Sequence, residues 1–187
     1  MTAAVLTPRL WRPTPAAELL RDHVRYELPK RYRRVFDHIL MMAGSKSDFL
    51  ELAVKNEVLG AVVFTAPVTV YFGLWGTAAS INDASNGGTA GEVTGGSYDR
   101  VAKTNNTTNF ATVVGNANKV NSNAITFPTA TANWNASATI NQVGVLDGNL
   151  KTAGDNLLLW CDLTTPKTVL NGDTAQFNTS AFSWSED

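Results

Sequence analysis

The chain is poor in the side chains that carry chemistry at most active sites. Its 187 residues include one cysteine, Cys161, and two histidines, His23 and His38. A single cysteine excludes an intramolecular disulfide, and a zinc site needs three or four convergent nitrogen, sulfur or oxygen ligands. The two histidines both fall in helical patterns, where we expect them on helix surfaces. We therefore expect no metal site and no cofactor.

Catalytic motifs and long apolar runs are also missing. No Gly-x-Ser-x-Gly elbow occurs, and the acidic residues beyond residue 60 stand mostly beside Gly or Asn, as in turns. The longest apolar run, residues 60–74, is interrupted and is shorter than the roughly 18 residues of a membrane helix. The start of the chain does not resemble a signal peptide. We expect no catalytic residues, no membrane partner and synthesis in a cytoplasm.

Charge is sparse and unevenly distributed. Charged residues make up 17% of the chain, below the usual quarter. Residues 1–60 hold ten Lys+Arg and seven Asp+Glu, a net charge of +3, whereas residues 61–187 hold five and nine, a net charge of −4. Glycine is almost absent from the first part and frequent in the second. The sequence thus predicts two domains, an N-terminal arm over residues 1–60 and a β-domain over residues 61–187.

The first part has the pattern of an extended arm with three short helices. Prolines keep residues 1–13 extended. Helices are predicted over residues 14–28, which begin with Thr14 as N-cap, and over residues 30–43. A third helix begins at Ser47-Asp48 and ends at Gly60. Its inward face would consist of Phe49, Leu50, Ala53, Val54 and Val58.

From Val68 the apolar period changes to two, which is typical of strands. Residues 80–96 form a long polar loop whose glycine-rich centre, residues 86–91, has the composition of a flexible tip. We expect a mainly β fold, an antiparallel β-sandwich or jelly roll, preceded by the arm and short helices. Besides the one that starts at Val68, strands are predicted over Tyr98–Lys103, Phe110–Val114, Ala124–Phe127, Ala138–Leu146, Asn156–Leu163, Lys167–Leu170, Ala175–Phe177 and Ala181–Trp184.

Several stretches of the β-domain carry a resemblance to a known family. Residues 66–184 resemble small virion proteins of tailed phages that are often labelled tail fibre proteins. This resemblance implies a structural protein of a bacteriophage virion, and the family pattern contains no catalytic residues. The matching stretches are residues 67–75, 91–101 (with Glu-Val-x-Gly-Gly-x-Tyr-x-Arg), 124–131 (with Ile-Thr-Phe-Pro-x-Ala), 143–150, 163–169 and 171–173.

A β-sandwich with a long charged arm also looks like a capsid decoration, or cement, protein. That likeness predicts a place on the capsid surface, with the arm clamping capsid subunits and gaining affinity through many weak copies. The expected partners are the major capsid protein and further copies of the chain, as a trimer or a dimer. The predicted binding residues are Arg9, Trp11, Arg12, Leu19, Leu20, Arg31, Arg33, Arg34, Val35, Phe36 and Ile39.

Three alternatives remain open beside this interpretation. The basic run at residues 30–34 would suit nucleic acid, but on a helix its charges spread around the circumference, so we expect no nucleic-acid partner. A tail-fibre or tail-tip module would recognise host surface glycan through the loops Ser80–Gly96 and Asn105–Asn109 and an aromatic tip such as Trp134. A tail glycan hydrolase is the third alternative, disfavoured because no pair of acids is recognisable.

Overall fold

A computed structural model of the chain describes residues 45–60, 62–76, 80–114 and 118–184. These residues belong to one compact unit, Met41–Asp187. The first two predicted helices and every residue of the predicted capsid-binding set lie outside the described ranges. The division into an arm and a β-domain at residue 60 therefore stays a prediction.

The described part of the chain is mainly β and antiparallel, as predicted. Its strands form a five-stranded sheet in the order β1-β7-β6-β2-β3 and two small ribbons, β4 with β9 and β5 with β8. One α-helix, α1, spans Asp48–Gly60. In chain order the strands are β1 (Ser45–Lys46), β2 (Thr69–Gly76), β3 (Val101–Thr104), β4 (Lys119–Val120), β5 (Ile125–Thr126), β6 (Ile140–Leu146), β7 (Leu157–Lys167), β8 (Gln176–Phe177) and β9 (Ser183–Trp184).

The interior strand β2, between β6 and β3, is buried on both faces, and the period of two explains how. Val70, Phe72 and Leu74 point into one core, while Trp75 belongs to a second core on the opposite face. Gly73 leaves space for the Trp75 ring, because a Cβ at Gly73 would lie 2.8 Å from it. Strand β2 is thus the partition between two separate apolar clusters.

The larger cluster fills the space between the sheet and the ribbons. Phe127, Trp134 and Tyr98 pack against one another with ring centroids 5.2–6.3 Å apart. In the stretch with the pattern Ile-Thr-Phe-Pro-x-Ala, the apolar residues Ile125, Phe127 and Ala130 are all buried. Only Ile125–Thr126 of that stretch is a strand, β5, and the chain continues along the core after it.

The smaller cluster lies on the other face of the sheet and is covered by a loop. It consists of Trp75, Ile81, Leu146 and Leu157, all buried. Ile81 comes from the polar stretch at residues 80–96, so this stretch crosses the sheet as a cover. The two faces are covered differently, one by short ribbons and the other by a loop, and the predicted jelly-roll connectivity is not confirmed.

Helix α1 begins and ends where the sequence predicts. Ser47 is fully buried, its hydroxyl donates to the Leu157 carbonyl, and it accepts a hydrogen bond from the Leu50 amide at 3.3 Å. The helix is fixed mainly at this end. Of the five residues predicted to face inward, Leu50 and Ala53 are partly buried, but the prediction was wrong for Phe49, Val54 and Val58, which are exposed.

Most predicted strands exist, and all of these except β7 and the strand from Val68 are shorter than predicted. The exceptions are Phe110–Val114, which is not a strand, and Lys167–Leu170, of which only Lys167 is paired, as the last residue of β7. The two-residue strands β1 and β4 were not predicted, because two residues carry no periodic signal. Within the described ranges, no helix is both long and apolar enough to cross a membrane.

Candidate functional site: a loop surface held by Arg100

Arg100 makes more side-chain hydrogen bonds than any other residue in the described part of the chain. Its guanidinium is completely buried and all five of its N–H groups donate hydrogen bonds. Nε and Nη2 donate to the two carboxylate oxygens of Glu92 at 2.8 and 2.7 Å, and Nη1 donates to Asp155 Oδ2 at 2.7 Å. The remaining two bonds, both 2.8 Å, go to the carbonyls of Gly148 and Gly87. No donor of the side chain is left unpaired.

These five bonds join two stretches that are distant in sequence. Glu92 and Gly87 belong to residues 80–100, and Asp155 and Gly148 belong to residues 147–156. We call these two stretches together the clamped loop surface. Backbone bonds add to the connection, since the Gly87 amide donates to the Asp155 carbonyl at 2.9 Å and Asn86 bridges to Asn156.

The electrostatics of this cluster follow from burial and pairing. Desolvation alone would lower the pKa of Arg100, but the hydrogen bonds and charges of Glu92 and Asp155 outweigh it and raise that pKa. Burial, together with the nearby Glu92 carboxylate, raises the pKa of the Tyr98 phenol well above its usual value. Tyr98 donates to Glu92 at 3.0 Å and accepts from the Leu74 amide at 2.8 Å. The cluster is thus tied to β2.

The outer side of the loop surface contains an open cleft of about 400 Å³. It is lined mostly by backbone and small side chains of residues 87–95, with Tyr98 and Lys151 at its edge. Lys151 Nζ lies 3.1 Å from Asp99 Oδ1 and 5.1 Å from the centre of the Tyr98 ring. The hydrogen bond and charge of Lys151 outweigh desolvation and lower the pKa of Asp99. Five of the nine amides of residues 87–95 already donate within the protein, so a small polar ligand in this cleft would meet mainly the threonine and lysine side chains.

The glycine-rich centre of the loop is packed, which corrects its prediction as a flexible tip. Gly87 is buried, and a Cβ there would collide with Asp155 and lie 2.9 Å from the Thr152 carbonyl. At Gly88 a Cβ would lie 2.7 Å from the Ala153 amide. The glycines therefore permit close approach of two backbones.

Two other expectations about this region need correction. Trp134, predicted as an exposed aromatic tip, is fully buried and its Nε1 donates to the Gly96 carbonyl at 2.9 Å. The loop Asn105–Asn109 is exposed as expected. The Asn105 side chain donates to the Pro67 carbonyl, just before β2, and the Asn109 side chain donates to the Thr104 carbonyl, at the end of β3. Segment 91–93 instead pairs with the end of β2.

The acidic residues were also misread in part. Asp173 does accept a turn hydrogen bond, from the Leu170 amide at 2.9 Å. Glu92 and Asp155, however, are also ion-pair partners of Arg100. Asp155 is a turn residue as predicted, since its amide donates to the Thr152 carbonyl at 3.1 Å and its carboxylate accepts from the Lys151 amide at 2.8 Å. We call the five hydrogen bonds of the Arg100 side chain the clamp. A signal for it was present in the Glu-Val-x-Gly-Gly-x-Tyr-x-Arg stretch, which contains Glu92, Tyr98 and Arg100. The described residues contain no group of three or more His, Cys, Asp or Glu that would hold a metal.

Comparison with protein families identifies the chain. The model of the family described as podophage GP4 fiber I protein gp80 matches residues 45–185, which are 141 of the 187 residues. None of the curated proteins compared with the chain is significantly similar to it. The predicted resemblance to phage tail-fibre proteins and the structural role in a virion are thereby confirmed. The chain belongs to the family of the podophage GP4 fiber I protein gp80 and is a phage fibre structural protein.

Proposed function

We propose that this chain is a tail-fibre protein that binds a glycan of the host surface through the clamped loop surface. The observation that carries the proposal is the family match, which covers the sheet and both stretches joined by Arg100. The match describes a fibre protein. It supports the tail-fibre alternative better than the capsid-decoration function that the charged arm suggested.

The geometry favours binding for a physical reason. Five hydrogen bonds, which include the ion pairs with Glu92 and Asp155, fix the loops before any ligand arrives. A preorganised surface loses less conformational entropy on binding than a flexible loop does. Thr89, Thr94 and Lys151 line the cleft, and their polar side chains suit the hydroxyl groups of a sugar. Each copy would bind weakly, and several fibres on one virion would gain avidity.

The two carboxylates bound to Arg100 are not suited to hydrolysis. A glycosidase needs one acid to protonate the leaving group and a second acid on the other side of the bond. Glu92 and Asp155 are both engaged by the same arginine. We therefore propose binding without an enzymatic step, and the proposal includes neither metal nor cofactor.

Position on the virion separates the tail-fibre function from the decoration function. We expect labelled antibody to the β-domain to mark the tail in electron micrographs, and densitometry of whole particles to give far fewer copies than of the major shell protein. Copy numbers near that of the shell protein, with label over the head, would instead establish capsid decoration by binding to the major capsid protein.

Glycan binding is tested by filling the cleft. Ala90 is exposed in the cleft, so Ala90→Trp should block it and abolish binding of the purified protein to host cells. Thr107→Trp, in the exposed loop at the start of β2, is the matched control and should bind normally. Purified host surface polysaccharide should compete with the wild type. Equal binding by both variants would exclude the cleft, and a failure of polysaccharide to compete would exclude a glycan ligand.

A further inference from the structure

Helix α1 carries apolar side chains on opposite sides, which is unusual for a helix at a surface. Leu50 packs against the large core. Leu52 and Leu59 are 58% and 89% exposed. At 100° per residue they project from the side of the helix away from Leu50. The helix is therefore apolar on two sides, and the apolar side that faces solvent is a candidate contact surface.

The outer side forms a sizeable patch. The chain folds back after the helix, since the Val62 amide donates to the Asn56 carbonyl at 3.1 Å. We call the following residues the exposed apolar patch. Their exposed area is of the same order as the roughly 800 Å² that each partner contributes to a standard protein–protein interface. They are Phe49, Leu52, Leu59, Val62 and Val63. Val54 and Val58 are also exposed, but at 100° per residue they lie on the same side of the helix as Leu50 and are not part of the patch.

The patch is complementary to itself. Leu52 and Leu59 are seven residues apart, which places them two turns and about 10 Å apart along one side of the helix. A second α1 lying alongside in either direction would set leucine against leucine. Lys55 and Glu51 pair with each other at 3.1 Å within one copy, so their charges are mutually compensated. Contacts between identical subunits are more apolar than other interfaces, and this patch has that character.

We propose that the exposed apolar patch is the contact between copies of this chain. A dimer with two-fold symmetry uses the same surface on both subunits, and α1 supplies such a surface. The contact requires no particular ligand, so it stands or falls independently of glycan binding. It assigns a surface to the homo-oligomer that the sequence predicts.

The first test measures the mass of the full chain in solution by sedimentation over a range of concentrations. We expect the wild type to be an oligomer and Leu59→Glu to be at least tenfold weaker in association, with an unchanged circular dichroism spectrum. Leu150→Glu is the control, because Leu150 is 76% exposed in a loop outside the patch, and it should associate like the wild type. A monomeric wild type overturns the proposal, as does an oligomer that Leu59→Glu leaves intact.

The second test locates the contact. Asn56 lies on α1 between the two leucines, and Cys161 is the chain's only cysteine. In the full chain with Cys161→Ser, Asn56→Cys should form a disulfide between copies under mild oxidation, whereas Thr107→Cys should not. An oligomer that gives no cross-link at Asn56, or equal cross-linking at both positions, refutes the assignment. A patch covered by residues 1–44 or by another protein would give that negative result.

Discussion

Replacement of Arg100 by methionine is the most direct test of the clamp. Arg100→Met keeps a long apolar stem but leaves Glu92 and Asp155 buried without a positive charge. Removal of one partner of a buried ion pair costs about 3–5 kcal/mol, and here two carboxylates and two carbonyls lose their donors. We expect the free energy of unfolding to fall by at least that amount, and the Tm to fall by about 10 °C.

The exposed pair on α1 provides a matched control. Lys55 and Glu51 also lie 3.1 Å apart, but their side chains are 68% and 42% exposed. Lys55→Met should therefore cost about 0.5 kcal/mol or less. Arg100→Lys should lie between the two variants, because lysine keeps the charge but offers three donors in place of five.

Urea unfolding measures the global effect, and hydrogen exchange at residues 80–96 measures the local one. We expect Arg100→Met to speed exchange there more than in β2 or β6. Adding Glu92→Gln and Asp155→Asn to Arg100→Met should recover part of the loss, because unpaired amides cost less to bury than unpaired ions. A stability of Arg100→Met within about 1 kcal/mol of the wild type would show that the clamp is not what holds the loops.

Three further outcomes follow from the same structure. Gly87→Ala should cost about 1–3 kcal/mol in urea unfolding because its Cβ collides with Asp155, whereas Gly154→Ala, with only ordinary contacts, should be nearly neutral; equal values would contradict the packing. Burial, with the Asp162 charge, raises the pKa of Cys161 from 9.0 to about 11, so its thiolate fraction at pH 8 is about 100-fold below that of a free cysteine, and a thiol reagent reacting at the free-cysteine rate would refute this. The raised pKa values of Tyr98 and Cys161 contribute stability that is complete below the pKa values of the unfolded chain and is lost as pH rises through those of the folded protein. The free energy of unfolding should therefore fall above about pH 8.5, and less steeply in Tyr98→Phe. A free energy of unfolding that does not change with pH would exclude this contribution.

Local signals in the sequence predicted local structure well. Ser47 and Gly60 mark the ends of α1 because a cap acts within one turn of its helix. The alternation in β2 predicted a strand because its side chains alternate between two faces. The exposure of Val54 and Val58 was not predicted, since a helix with apolar residues all round offers no signal for which side meets its own domain.

The clamp could not be derived from the sequence because its members are far apart. Arg100 and Asp155 are separated by 55 residues, and no spacing rule links them. Trp134 was misplaced for a related reason. It stands in an Asn- and Thr-rich stretch typical of exposed loops, but its ring reaches the Tyr98 and Phe127 rings only in the folded domain.

The hydrogen bonds of Arg100 bear on which positions of the loops can be substituted during evolution. Two of its five bonds reach main-chain oxygens, at Gly87 and Gly148, and neither position has room for a Cβ, which would collide with Asp155. Exposed positions of the same loops, such as Ala90 and Thr94, do not accept a hydrogen bond from Arg100. If the loop surface binds glycan as proposed, substitutions at these exposed positions can change the ligand while the hydrogen bonds of Arg100 keep the loops in place.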